Sequence, residues 1–120
     1  MMKRELQVCR LDLAKRLEEL GVKQESLFYW EDRRSNGLGL HLFWDGGKND
    51  AMYPTFSAFT VAELGEMLPF NFASQRNNYH GDRDWVCFKS GTEFNVFDGT
   101  EADARAKMLI NLIETGAVKP

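Results

Sequence analysis

The stretch NNYHGDRDW, residues 77–85, gathers most of what could do chemistry in this chain. It holds His80, one of two histidines, beside Tyr79, with Asp82 and Asp84 following at spacings of two. One imidazole and two carboxylates are a donor set for a divalent metal. An imidazole near a carboxylate is also a general acid–base pair. In an extended segment His80, Asp82 and Asp84 share one face, but a turn at Gly81 breaks that alignment. The segment is rich in Asn, Asp and Gly, which is turn composition. No second cluster of His, Cys or acidic residues completes a metal shell. The stretch therefore reads as a loop, with no catalytic residue, metal or cofactor assigned. The alternative is a small hydrolase or metal-dependent enzyme that uses His80 and Asp82. His41, the second histidine, joins them only if the loop of residues 70–84 folds back on the hairpin that carries His41.

Other chemistries lack their motifs. Nucleophilic catalysis needs an activated Ser or Cys beside a base. Cys87 lies between Val86 and Phe88 in a strand-like run and reads as a core thiol, and no GxSxG occurs. LGLHLFWDGGKND contains glycines but neither GxGxxG nor GxxxxGK[ST]. DGGKND lacks the acidic spacing of a calcium loop. Two distant cysteines, outside any CxxC arrangement, suggest neither a disulfide framework nor a zinc site.

Aromatic residues and charges define the remaining binding chemistry. Phe28, Tyr29 and Trp30 are consecutive, so a strand distributes them over both faces, as it does Phe43 and Trp44. Either both faces are covered, or one is open and binds something. Trp30, His41, Trp44, Tyr79, His80 and Asp82 are the candidate binding residues. A base-stacking platform needs basic neighbours, and here Arg33-Arg34 is offset by Glu31 and Asp32. The net charge of −3 gives no footprint for a phosphate backbone. Strong nucleic-acid binding is not expected, and a protein partner is.

The elements that must position these residues follow from periodicity. Leu13, Leu17 and Leu20 make one apolar face over residues 10–20, and Gly21 ends that helix. LFYWE (27–31) and LGLHLFW (38–44) form a hairpin around Asn36-Gly37, a dipeptide that tolerates positive φ. In the second strand Leu38, Leu40, Leu42 and Trp44 share one face. AMYPTFSAF (51–59) contains Pro54 and is an edge strand or ordered loop. Thr60 and Glu63 have capping-box spacing for a helix that ends before Pro69. WVCFKS (85–90) and TEFNVFD (92–98) form a second hairpin, with Val86 and Phe88 sharing a face with Phe94 and Val96. Thr100 caps a final helix whose buried stripe is Ala102, Ala106, Leu109, Ile110 and Ile113. Gly65 inside the middle helix marks close packing.

The expected fold is therefore α+β. One domain over residues 1–120 carries an antiparallel sheet of about four strands and three helices, in the order α-β-β-α-β-β-α. With 120 residues, 43% of them apolar, the chain is long enough for one core. No run of 18 apolar residues spans a membrane. The N-terminus lacks a signal-peptide pattern, which makes the expected compartment the cytoplasm. The sequence leaves the oligomeric state open.

LAKRLEELGVKQESLFYW (13–30), YPTFSAFTVAELGEMLP (53–69) and GTEADARAKMLINLIETG (99–116) together resemble short, uncharacterised bacterial proteins found in phage and prophage regions. These stretches cover a little under half of the chain. The resemblance implies a mobile-element setting and no particular activity. The expected function is that of an accessory protein that binds another protein. Its expected contact surface is the first hairpin with the loops 32–52 and 70–84.

Overall fold

A computed structural model describes residues 3–44, 53–77 and 84–120. In those residues the chain is α+β, with three helices and two three-stranded antiparallel sheets. Helix α1 (Leu11–Glu19) precedes strands β1 (Phe28–Arg33), β2 (Gly39–Trp44) and β3 (Thr55–Ser57). Helix α2 (Val61–Met67) leads to β4 (Phe72–Arg76), β5 (Trp85–Lys89) and β6 (Asn95–Asp98), and α3 (Glu101–Glu114) follows. No helix among the described residues is long and apolar enough to cross a membrane.

Both expected hairpins form, but they do not join in one four-stranded sheet. Each takes a third strand of its own, giving the orders β2-β1-β3 and β4-β5-β6. β3 starts just after Pro54, which lacks the N–H a ladder needs but still accepts from Asp32 N at 2.9 Å. In the second hairpin the register pairs Val86 with Phe97, Cys87 with Val96 and Phe88 with Asn95. Val96 therefore shares a face with Cys87, not with Val86 and Phe88 as the alternation of TEFNVFD suggests. Residues 92–94 form the turn instead of the strand, and this shortening of β6 resets the pairing.

The helix signals hold in detail. Thr60 accepts from Glu63 N while Glu63 reaches back to Thr60 N, a complete capping box. Thr100 Oγ1 accepts from Asp103 N at 3.1 Å. α1 begins at Leu11, and residues 8 and 9 before it are held as strand-like backbone. Val8 bridges Thr60, and Cys9 N donates to Phe59 O. A Cβ on Gly65 would meet the Arg105 guanidinium, which bonds Ser74 Oγ and Val61 O, so a side chain there would require Arg105 to shift.

α3 occupies the centre of the molecule. It packs on β4, β5 and β6 and against α1 and α2. Its expected stripe is inward-facing, with Ala102, Ala106, Leu109 and Ile110 buried and Ile113 packed beside them. Ala104, Met108 and Leu112 are buried too, because α3 is covered from more than one side. α1 covers one face of the first sheet, where Trp30, Phe56 and Leu42 join the same core.

Candidate binding surface on the first sheet

The first sheet separates the residues of its hairpin by face. Pairing sets Phe28 opposite Trp44, Trp30 opposite Leu42, and Asp32 opposite Leu40. These residues share the face toward α1, since paired residues of an antiparallel ladder point to the same side. Trp30 is 8% exposed, and its indole N–H donates to Cys9 O at 2.8 Å. Trp30 is thus a core residue and not a surface contact. The other face carries Tyr29 stacked on Phe43 at 5.9 Å, with Glu31 buried beside Arg33.

β2 is an edge strand that projects past the cover given by α1. Leu42 packs on the core, while Leu40 and Trp44 on either side of it are exposed, Trp44 at 63%. Neighbouring bonds fix the direction of its backbone groups. Phe28 O accepts from Ala58 N, and Asp32 N donates to Pro54 O, so both residues bond toward β3. Their partners Trp44 and Leu40 occupy the non-hydrogen-bonded pairs of the β1–β2 ladder. Leu40, Leu42 and Trp44 therefore direct their N–H and C=O groups to the outer edge. The apolar row and the outward backbone groups belong to the same three residues.

Charges around the row are balanced internally. Leu40 walls a shallow groove of about 350 Å³ with Arg10, Leu11, Asp12, Lys15 and Arg34. Arg10 is held by Asp12, Asp98 and Asp103, and Lys15 and Arg34 both reach Asp32. Hydrogen bonds from the Arg34 side chain and backbone, with the nearby Lys15, hold the Asp32 carboxyl well below the usual carboxylate range. The groove offers apolar contact and paired ions, not a cationic track.

His41 lies on the opposite face from Trp44, across from Glu31. It is exposed, and its Nε2 is 2.9 Å from Leu38 O. Tyr79, His80 and Asp82 lie outside the described residues, and with them the question of whether the two histidines meet. Among the described residues no three His, Cys, Asp or Glu side chains gather as a metal site. Both thiols are buried. Burial pushes Cys9 up to about 12 and Cys87 up to about 11, which removes them as nucleophiles near neutral pH.

Sequence reasoning singled out Trp44 but passed over Leu40 as a contact. Its signal was present: LGLHLFW lacks any charged side chain or proline, and an edge made of such a run stays open to pairing. Comparison of the chain with protein-family models, curated proteins and solved structures finds no match.

Proposed function

We propose that this chain is a small accessory protein of the phage or prophage kind that works by binding another protein. The outer edge of β2 receives an extended apolar segment of that partner as an added strand. The observation that carries this reading is the coincidence on β2 of outward backbone groups with an exposed apolar row. Natural edge strands are normally blunted by lysine, proline or a bulge, and GLHLFW contains none of the first two. In strand addition the main chain supplies affinity, and alternate side chains supply specificity. Here Leu40 and Trp44 are the anchors, and the ion pairs of Arg10, Lys15 and Arg34 form a polar rim.

Selection from a display library of extended peptides, followed by amide hydrogen exchange, tests the proposal. Selected peptides should carry alternating apolar residues and slow exchange at Leu40, Leu42 and Trp44 by at least about tenfold, the change expected for about 1.4 kcal/mol of added protection. Leu40→Lys and Trp44→Asp should each abolish binding without altering the circular dichroism spectrum. Peptides that bind both variants as they bind the parent would refute it.

A further inference from the structure

A second concave surface lies on the other sheet. Phe72 N donates to Pro69 O at 3.1 Å, closing a turn that is pinned by Ser90 N on Asn71 O at 2.9 Å. The turn holds Phe70 fully exposed, at 100%. Beside it Phe72 and Phe94 meet edge-to-face at 6.5 Å. With Leu112 and Val118 these rings wall a groove of about 290 Å³, into which Asn71 and Lys89 also open.

The last turn of α3 would normally present free carbonyls, but here those of Asn111, Leu112 and Ile113 are occupied. Thr115 N bonds Asn111 O, Gly116 N bonds Ile113 O, and Ala117 N and Val118 N both bond Leu112 O. The Thr115 hydroxyl donates to the Asn111 and Leu112 carbonyls. That wall is therefore poor in free acceptors. Lys89 and Asn71 are half-buried residues, and their side-chain polar groups have no hydrogen-bond or ion-pair partner among the described residues. The groove thus combines apolar walls with one unpaired cation and one unpaired amide donor. Small-molecule sites share that plan, and the volume lies at the lower end of their range.

We propose that this groove binds an amphipathic monocarboxylate, a medium-chain alkyl acid, with its chain along Phe72, Phe94, Leu112 and Val118. The carboxylate accepts from Lys89 Nζ and from the Asn71 amide. A single cation matches a single negative charge, whereas a phosphate dianion calls for more donors than the groove supplies. A neutral ligand would leave the Lys89 ammonium without a counter-ion. Phe70, next to the groove, adds apolar surface for a chain that extends beyond it. The site lies on the second sheet and is independent of the β2 edge.

Decanoate and decanol titrated into the full chain, followed by amide NMR shifts, decide the matter. At submicellar concentration decanoate should give saturable shifts confined to residues 69–72, 88–94 and 112–118. Lys89→Met should weaken decanoate about fivefold, the loss of one partly exposed ion pair, and leave decanol unchanged. Ala117→Trp, at an exposed position in the groove wall, should eliminate both ligands while keeping the parent melting curve. Shifts that do not saturate, shifts that lie elsewhere, or equal decanoate affinity in Lys89→Met would overturn the proposal.

Discussion

The two tryptophans of the first hairpin offer a sharp test, because one is buried and the other exposed. Replacing Trp30 by Phe keeps a six-membered ring in the core and removes the indole N–H that bonds Cys9 O at 2.8 Å. Leaving that carbonyl without its donor costs about 1–3 kcal/mol, and the volume lost with the five-membered ring adds about 1 kcal/mol. A loss of about 2–4 kcal/mol is a large share of the roughly 5–15 kcal/mol of a typical domain. With about 2.1 cal/mol/K of unfolding entropy per residue and 120 residues, it lowers the melting temperature by about 8–16 °C. Trp44→Ala removes a side chain that is 63% exposed, so stability should stay within about 0.5 kcal/mol of the parent.

Thermal and urea unfolding followed by far-ultraviolet circular dichroism measure both effects. The binding readout should run the other way. Peptides selected on the parent should bind Trp30→Phe normally and lose Trp44→Ala. If Trp30→Phe melts like the parent, or Trp44→Ala is the more destabilised, the division of this sheet into a covered and an open part is wrong.

Three further outcomes are expected. Leu109→Ala, at a buried position on the central helix, should cost about 2–5 kcal/mol. Lys107→Ala gives up an exposed contact to Phe97 O and one of the two cations on the buried Asp98, which Arg10 still holds, and should cost about 1 kcal/mol or less in the same urea series. Cys9 and Cys87, both buried with raised thiol values, should resist a disulfide exchange reagent at pH 8 and react fully in denaturant; fast native reaction of either would show that its element opens. Because the Asp32 carboxyl is depressed in the folded state by Arg34, its contribution is present above the unfolded value of about 3.9 and is lost as pH falls through that region toward the folded value. Urea midpoints at pH 5 and pH 3 should therefore converge in Asp32→Asn relative to the parent, and an unchanged difference would contradict the pairing.

Helices were legible where a local rule determines them. The Thr60 and Thr100 caps need only three residues of context, and the Leu13–Leu17 and Ala106–Leu109 spacings need one face each. The third strand of the first sheet was legible only as one of two readings of residues 51–59, and that of the second sheet was not legible, for the same reason. Thr55–Ser57 and Phe72–Arg76 are short and carry no clean alternation. They become strands because β1 and β5 each offer a second edge whose backbone groups must be satisfied. The split into two sheets is a tertiary outcome as well. α3 is apolar enough to be covered from several sides, so it packs on the second sheet and against α1 and α2 together. A wider buried stripe than Ala102–Ile113 suggested is the mark of that placement.

The same limit explains the candidate surface. A period of two states which residues share a face, and it assigned Leu38, Leu40, Leu42 and Trp44 together. It does not state how far the covering helix reaches. α1 has nine residues, or roughly 13 Å at about 1.5 Å per residue, and it lies over β1 and β3, where Lys15 contacts both Asp32 and the Phe56 ring. β2 stands a further strand spacing away, about 4.8 Å. Leu42 still reaches the core through its neighbour Trp30, but Leu40 and Trp44 lie beyond the ends of that contact. The apolar row is exposed because a short helix covers two strands of a three-stranded sheet. A partner strand on β2 would complete the burial that α1 begins.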